Sequence, residues 1–379
     1  MSTSLSSPRQ FNYILPVGLG STGRQILRML SVEPGISQAT MTRRSGYSQS
    51  TVTRLIQLFQ VEGMLVETGR HHDGPGKPSV NLALNPDYAF SFGIAMLGDT
   101  LSLLLMDFSG RQRAVRYAPM PASRAAVVDL LVRFRDDILR EVPQAQRIVG
   151  AGVGIPGFFV DGGFLNTPKA LGEWALVDIR QLLGDALQMP VEVENDATAA
   201  AVGESLFGMG RRYRNFAYLY LGNSFGGGII ADGRPFRGHH GNAGEFGAIS
   251  TLLGGDYPSL ESLRLSLAAR GLAFDDARAM CSSIDIGTPG VEDWVEHAAQ
   301  PFSMLAAVLA SLFDPEFIVL GGRLPVSIAE ALVDRMRIPT PASRWGRYPP
   351  QPKLALAQVR THPVAVGAAA LPMQRLFFA

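Results

Sequence analysis

The spacing of apolar residues changes at Asn85-Pro86-Asp87, and this change limits the folds open to the chain more than any other feature. Before it, apolar residues recur at helical spacing over short segments. After it, short apolar runs such as 148–155 and 216–221 alternate with amphipathic segments, which is typical of α/β proteins. The sequence therefore predicts a small, mainly helical domain over residues 1–85 and an α/β domain over residues 86–379.

Composition excludes several other classes of protein. The 379 residues suffice for two or three domains, and the 46% hydrophobic content is enough for packed cores. Cys281 is the one cysteine, which excludes an intramolecular disulfide and a cysteine-rich zinc module. The chain does not begin with a basic stretch followed by an apolar run, and nowhere do about 18 apolar residues follow one another. We expect a cytoplasmic protein without a membrane segment.

The first 85 residues contain helix and strand signals in a distinctive order. Ser37 and Ser48 are suited to cap helices, and Gly46 to the tight turn between them. A long, basic, Gly/Pro-rich tip over 69–80 separates two strand-like segments. The predicted elements are helices at 25–30, at 38–44 and after Ser48, followed by strands at 64–68 and 81–84. This is the order of a winged helix-turn-helix.

The third predicted helix has one apolar and one polar face. Val52, Leu55, Ile56 and Phe59 share the apolar face, which leaves short polar side chains and an arginine on the other. Residues 1–85 hold eight Lys and Arg against four Asp and Glu, so only this part of the chain favours polyanions. The residues predicted to contact DNA are Gln49, Ser50, Thr51, Thr53 and Arg54 in the helix, and Arg70 and Lys77 near or in the tip. The alternative is a small helical domain used for protein contacts.

Asn195-Asp196 follows a short apolar strand and opens a helix of small residues. Side chains at such a junction lie at the carboxyl edge of a sheet, where α/β folds bind ligands. A carboxylate there can act as a general base or hold a hydroxyl group by a charge-assisted hydrogen bond. The alternative is that Asp196 only caps the helix. Gly226-Gly227-Gly228 is a weak candidate for a phosphate-binding loop, because glycine is also common in hairpins.

Four segments beyond the linker together resemble the ROK family, which comprises repressors and sugar kinases. The resemblance runs from about Phe92 to the C-terminus, and the N-terminal block resembles the winged helix-turn-helix of the repressor branch. The segments are GVGIPGFFVDGGFLNTP at 152–168, VENDATAAAVGE at 193–204, YLGNSFGGGIIADGRPFRGHHGNAGEFGAI at 220–249 and LFDPEFIVLGG at 312–322. The resemblance implies an actin-like, hexokinase-like α/β domain of two lobes with a sugar site in the cleft.

The resemblance also implies roles for individual residues. In the family's kinases the aspartate of the Asn-Asp pair is the catalytic base, and it corresponds to Asp196, with Asn195 beside it as a sugar ligand. Two further sugar-binding glutamates correspond to Glu245 and Glu261. One amide and three carboxylates suit a neutral or amino sugar, whose hydroxyl groups donate hydrogen bonds to ionised oxygens.

Departures from the family pattern argue against catalysis. Ala95 and Leu97 stand where the kinases have the aspartate and glycine of the first phosphate motif, and Gly222-Asn223-Ser224-Phe225 replaces the second. Phosphoryl transfer depends on positioning and charge neutralisation at these loops, so we expect no enzyme activity and no cofactor. The family's zinc ligands are also replaced, which predicts no metal; the corresponding positions are Ala248, Leu252, Gly254 and Ser259.

The sequence thus predicts a DNA-binding transcriptional regulator, a repressor of carbohydrate-metabolism genes, that responds to a sugar or sugar derivative. A homodimer or homotetramer is expected, because two-fold symmetric proteins match palindromic operator DNA. The rival hypothesis is an active, ATP-dependent ROK sugar kinase with an appended DNA-binding domain. A third is a regulator that senses a protein partner without any small ligand.

Overall fold

The computed structural model describes residues 19–71, 79–252, 258–339 and 343–378. The N-terminal part packs three helices on a small antiparallel sheet whose strand order is β1-β3-β2. Its elements are α1 Ser21–Val32, β1 Ile36–Ser37, α2 Gln38–Ser45, α3 Gln49–Val61, β2 Leu65–His71 and β3 Ser79–Leu84. The winged helix-turn-helix topology predicted from the sequence is therefore present.

The turn between α2 and α3 follows from local chemistry. Ser37 and Ser48 each accept a hydrogen bond from a backbone amide in the first turn of the helix that follows, at 3.2 Å from Thr40 and Thr51 respectively. Gly46 ends α2 with a φ of 74°, a left-handed conformation that glycine adopts without strain. Strand β1 was not expected from the sequence. It is two residues long and exists only because it pairs with β3.

The first lobe of the α/β domain contains a five-stranded mixed sheet in the order β10-β7-β4-β5-β6, with a separate hairpin of β8 and β9. Strands β4, β7 and β10 run parallel, whereas β4, β5 and β6 form an antiparallel meander. The elements are β4 Phe90–Met96, β5 Thr100–Asp107, β6 Gln112–Pro119, α4 Arg124–Glu141, β7 Ile148–Ile155, β8 Phe158–Phe159, β9 Leu165–Asn166, α5 Ile179–Leu187 and β10 Val191–Asn195.

The second lobe repeats this plan with a sheet in the order β13-β12-β11-β14-β15. Strands β11, β14 and β15 are parallel, and β12 is antiparallel to β11. The elements after α6 Asp196–Phe207 are β11 Phe216–Leu221, β12 Phe225–Ala231, β13 Arg234–Pro235, α7 Gly247–Leu252, α8 Leu260–Ala268, α9 Ala277–Cys281, α10 Val291–Phe313, β14 Phe317–Gly322, α11 Val326–Arg335, β15 Lys353–Leu356 and α12 Pro363–Met373. Together the lobes form the actin-like fold expected from the sequence.

Helices α6 and α12 cross in the centre of the molecule and bury residues from both sheets in a shared apolar cluster. The crossing requires close approach of the two backbones. A Cβ atom added to Gly367 of α12 would lie 1.7 Å from the carbonyl oxygen of Ala199 in α6. A side chain at this position would therefore push the two helices apart.

Two local interpretations differ from the structure. The spacing of apolar residues predicts a helix over 301–312 with Pro301 in its first turn, but Pro301 lies inside α10, which begins ten residues earlier. The earlier part of the helix buries Trp294, Val295 and Ala298, and this apolar burial outweighs the missing backbone hydrogen bond at the proline. Gly226-Gly227-Gly228 lies inside β12, paired with β11, rather than in a loop. Glycine is needed at position 227 because a Cβ there would come within 2.1 Å of the ring of Phe246.

The winged helix and the first lobe share one apolar core. Tyr88, Phe108, Phe377 and Phe378 pack against buried residues of α1, α3 and the small sheet. The rings of Phe108 and Phe377 meet edge to face, with their centroids 4.8 Å apart. The core thus crosses the proposed boundary after residue 85, and residues 377 and 378 help to fix the orientation of the N-terminal helices.

None of the helices in the described ranges combines the length and the hydropathy that a membrane-spanning helix requires.

Candidate sugar and DNA sites

Asn195 ends β10 and caps α6. Its Oδ1 accepts hydrogen bonds from the backbone amides of Ala197 and Thr198, at 2.9 and 3.1 Å, and its Nδ2 donates to the carbonyl oxygen of Gly157 at 2.9 Å. The capping residue is therefore Asn195, so the alternative that Asp196 only caps the helix does not describe the structure. The cap fixes the direction in which α6 leaves the sheet.

Asp196 is the first residue of α6, and only 8% of it is exposed. Burial raises the pKa of its carboxyl group to about 6, although the backbone amides of Ala197 and of Asp196 itself act in the opposite direction. No ion pair to this carboxylate is formed within the described ranges. An uncompensated buried carboxylate of this kind can accept a proton or hydrogen bonds from a ligand.

Glu245 approaches Asp196 from the second lobe. Burial, together with the charge of Asp196, raises the pKa of the Glu245 carboxyl group to about 7. The Nδ2 atom of Asn195 lies 3.4 Å from Glu245 Oε1, so the three predicted residues meet at one place. Near neutral pH the two carboxyl groups together carry less than their full negative charge.

Asn195, Asp196 and Glu245 line a cavity of about 270 Å³ between the lobes. Asn166 and Thr167, which were not among the predicted site residues, line the same cavity from the end of β9 and the loop that follows it. Their signal was present in the Asn-Thr-Pro end of the 152–168 segment, but nothing in the sequence alone places that loop opposite β10. The polar lining, with its acceptor oxygens and amides, suits a small molecule that carries several hydroxyl groups.

The structure does not bring Glu261 to this cavity. Its carboxylate accepts two hydrogen bonds from Arg264, at 2.8 and 2.7 Å, and this contact lowers the pKa of the Glu261 carboxyl group. The side chain is about half exposed on α8. Its role in sugar binding stays a prediction.

The two segments that correspond to kinase phosphate motifs contact each other directly. Asn223 donates a hydrogen bond of 3.2 Å from its Nδ2 to the carbonyl oxygen of Leu97. Arg323, next to Gly321-Gly322, forms a two-pronged ion pair with Asp99 across the cleft. Protein side chains thus bridge the lobes between these segments.

The positions of the family's zinc ligands lie on both sides of an incompletely described segment. Gly254 lies outside the described residues, whereas Ala248 is exposed in α7 and Ser259 caps α8. Among the residues the structure describes, no group of three or more His, Cys, Asp or Glu side chains is arranged to hold a metal ion.

Helix α3 presents most of the predicted DNA contacts to solvent. Gln49, Ser50 and Arg54 are exposed, and Thr51 is partly exposed. Thr53 is more constrained, because its hydroxyl group donates to the carbonyl oxygen of Gln49 and accepts from the Gln38 amide at 2.6 Å. Lys77 lies outside the described residues, as does the side chain of Arg70.

Arg43 was not among the residues predicted to contact DNA, although its position makes it a further candidate. It is exposed in the last turn of α2, donates to Thr40 Oγ1 at 3.4 Å, and forms no ion pair with a described carboxylate. Its neighbour Arg44 differs, because it pairs with Glu33. A basic residue at the end of the helix that precedes the recognition helix was the available signal.

Comparison with known proteins relates two segments of the chain to families. Residues 91–255 match the ROK family, and residues 20–66 match a winged helix-turn-helix DNA-binding family. The xylose repressor of Bacillus subtilis is 24% identical over 316 residues, which cover 78% of this chain and 80% of the repressor. A glucokinase of Streptomyces coelicolor is 27% identical over 319 residues, which cover 74% of this chain and 96% of the glucokinase.

One solved structure extends the similarity to both parts of the molecule. A ROK family transcriptional regulator, a homologue of the E. coli MLC protein, aligns with a TM-score of 0.65 over 94% of this chain and 96% of its own. The two sequences are 20% identical, so the likeness concerns the fold. The likeness in fold therefore covers both the winged helix and the two lobes.

Proposed function

Because the chain joins an N-terminal winged helix-turn-helix DNA-binding domain to a ROK family domain, we propose that it is a transcriptional repressor whose affinity for operator DNA is controlled by a sugar. The similarity to a xylose repressor supports this function. The observation that carries the proposal is that Asn195, Asp196 and Glu245 line one cavity. Helix α6, which begins at this cavity, also contacts α1 of the winged helix.

The contacts beyond the far end of α6 connect the proposed sugar site to α1. Ser205 of α6 and Arg28 of α1 donate hydrogen bonds to the same carbonyl oxygen, that of Gly233, both at 3.0 Å. Arg211, just after α6, donates to the carbonyl oxygen of Ser31 in α1 at 2.7 Å. A sugar that favours one arrangement of the lobes would therefore shift α1 as well. The shift in DNA affinity can be no larger than the difference in sugar affinity between the two arrangements.

The proposed effector is a neutral or amino sugar. Its hydroxyl groups would donate to the carboxylates of Asp196 and Glu245, whereas a phosphate on the same molecule would be repelled by them. The protein would bind a palindromic operator as a homodimer or homotetramer. Arg54 and Arg43 would lie near bases or phosphates of the DNA.

The rival hypothesis is an active sugar kinase. It is supported by the similarity to a glucokinase and by Asp196, which stands where the family's kinases have their catalytic base. Against it stands the Arg323–Asp99 ion pair between the segments that would hold phosphate. Turnover of ATP that requires both a sugar and Asp196 would establish the kinase and overturn the proposal.

The test begins with the full-length protein. Selection from a random duplex library supplies an operator, and a sugar library is then screened for compounds that raise the thermal unfolding midpoint and change operator affinity. We expect Asp196→Asn and Glu245→Gln to abolish the response to the sugar while operator affinity without sugar stays within about twofold of the parent. Glu292→Gln is the matched control, since its carboxylate is mostly exposed and pairs with Arg335 in a different part of the molecule. An unchanged response in both cavity variants would contradict the proposed site.

A further inference from the structure

Arginines accumulate where α1 meets the second lobe. Residues 205–240 contain five arginines and a single acidic residue, Asp232. One of the five, Arg237, is neutralised by Glu194. The other four lie just after α6 or at the start of β13, and with one arginine of α1 they form what is here the arginine surface: Arg28, Arg211, Arg212, Arg214 and Arg234.

The turn between β12 and β13 brings three of these arginines together. Arg28 donates from Nη2 to the carbonyl oxygen of Gly233 at 3.0 Å, and Arg214 donates from Nη2 to that of Asp232 at 2.7 Å. Burial lowers the pKa of the Arg28 guanidinium group, and the positive charges of Arg214 and Arg234 lower it further. Three like charges therefore lie close together at this turn, and the carbonyl groups that hold two of them carry no net charge.

Carboxylates near the turn do not neutralise these charges. Glu316 accepts hydrogen bonds from the backbone amides of Arg214 and Asn215, at 3.0 and 3.2 Å. Within the described ranges, no residue of the arginine surface forms an ion pair with a carboxylate. Arg212 and Arg234 are also exposed to solvent. These two guanidinium groups are therefore free to bind an external anion.

The arginine surface continues toward the proposed DNA contacts of the winged helix. Arg211 donates to the carbonyl oxygen of Ser31, in the last turn of α1, at 2.7 Å. Glu33, which follows α1, pairs with Arg44 of α2. Arg43, the further candidate for a DNA contact, is the neighbour of Arg44 in the same last turn. The carboxyl end of α1 therefore contacts both the second lobe's arginines and the helix that precedes the recognition helix.

We propose that the arginine surface binds the phosphate backbone of DNA beside the operator, so that the second lobe holds DNA together with the winged helix. The inference rests on the proposed function, because the winged helix must first bind the operator. Duplex DNA carries one negative charge for about every 1.7 Å of its axis, and the forked donors of arginine match phosphate oxygens. Phosphate contacts carry no sequence information, so the added affinity should not depend on the sequence of the flanking DNA.

The test measures the binding of the full-length protein to two duplexes by fluorescence anisotropy. One is the minimal operator obtained by selection, and the other adds about ten base pairs of unrelated sequence, one helical turn, on each side. We expect the parent protein to bind the extended duplex at least about fivefold tighter than the minimal one.

The double variant with Arg212→Gln and Arg234→Gln should lose this gain, leaving a difference of less than about twofold between the duplexes. Its salt dependence on the extended duplex should fall by about two counterions for each protomer. Affinity for the minimal operator should stay within about twofold of the parent, which also shows that the variant is folded. The matched control, Arg111→Gln with Arg133→Gln, removes two exposed arginines of the first lobe and should keep the full gain.

The outcomes separate this inference from the proposed function. If neither duplex is bound by the parent, the proposed function fails and this inference fails with it. Binding of the minimal operator without any gain from the flanking base pairs overturns this inference alone. A gain that survives in the double variant also overturns it, and leaves the arginine surface to another anionic partner, such as an acidic protein. An equal loss in the control variant overturns it in favour of a general effect of net charge.

Discussion

Arg323 and Asp99 tie the two lobes together through hydrogen bonds of 2.9 and 2.8 Å, one to each carboxylate oxygen. Arg323 Nη1 also donates to Asn223 Oδ1 at 3.1 Å, and Asn223 in turn contacts the Leu97 backbone. Both charged side chains are largely buried, with 16% and 10% of their surface exposed. The pair therefore lies between the two segments that correspond to kinase phosphate motifs.

Removing only one partner of this ion pair should lower the stability of the protein. In Arg323→Met the carboxylate of Asp99 stays buried without its partner, and we expect the free energy of unfolding to fall by about 3 kcal/mol. Chemical denaturation followed by circular dichroism measures the change. Adding Asp99→Leu to the same chain should restore part of the loss, because the uncompensated charge is then removed. A small effect from the single substitution would mean that water reaches Asp99 in solution.

Arg335→Met serves as the matched control for that experiment. This arginine also forms two ion pairs, with Glu292 and Glu296, but both carboxylates are mostly exposed. Solvent screens such pairs, so little loss of stability is expected.

The proposed DNA-binding surface can be tested through Arg54. Its replacement by Ala should weaken operator binding by about 1–3 kcal/mol, with loss of sequence preference if Arg54 contacts a base. A contact to phosphate would instead weaken all sequences alike and reduce the salt dependence of binding. Fluorescence anisotropy at several salt concentrations distinguishes these outcomes. The exposed Arg133, far along the chain in α4, is the control. Unchanged affinity in Arg54→Ala would exclude this face of α3.

Sugar binding should depend on pH in a defined direction. The pKa values of Asp196 and Glu245, about 6 and about 7 in the folded protein, are raised by burial. Their contribution to stability is therefore fully present below about pH 4, and it is lost as pH rises through about 6 to 7, because the folded state then gives up protons that it holds more tightly.

A sugar whose hydroxyl groups donate to ionised carboxylates should bind better over that same interval. We expect its affinity to rise by about tenfold or more between pH 5 and pH 8, as the two groups ionise. Thermal-shift titrations at each pH measure this trend. In the double variant with Asp196→Asn and Glu245→Gln, the stability of the free protein should no longer fall as the pH rises through about 6 to 7, because neither side chain can ionise. Affinity that falls with rising pH would mean that the protonated carboxyl groups are the ones that bind.

The shared core predicts that the end of the chain supports the DNA-binding domain. Phe377 is 1% exposed and packs on Phe108, so Phe377→Ala should lower the free energy of unfolding by about 3–5 kcal/mol. Operator binding should weaken more than sugar binding, because the cavity around Asp196 lies elsewhere. Phe236→Ala, at a half-exposed ring, should change little. Equal losses of operator and sugar binding in Phe377→Ala would argue against this coupling.

The sequence determined most of the local structure and the resemblance to two families. Serine caps, the glycine turn and the apolar face of α3 act over a few residues, so the winged helix could be predicted from their spacing. The Asn195-Asp196 junction was likewise predictable, because a strand followed by a small-residue helix places both side chains at a sheet edge. The resemblance of the 220–249 segment to the ROK family then pointed to Glu245 as a further residue of the same site.

Only the tertiary structure decided which distant residues meet. Glu261 and Glu245 carry the same functional group, yet α8 turns one toward Arg264 while the loop before α7 brings the other beside Asn195. The ion pair of Asp99 with Arg323 joins residues 224 positions apart, and the packing of Phe377 under the winged helix joins the two ends of the chain. Such contacts depend on how the two lobes and their central helices pack, and the spacing of residues along the chain does not encode that packing directly.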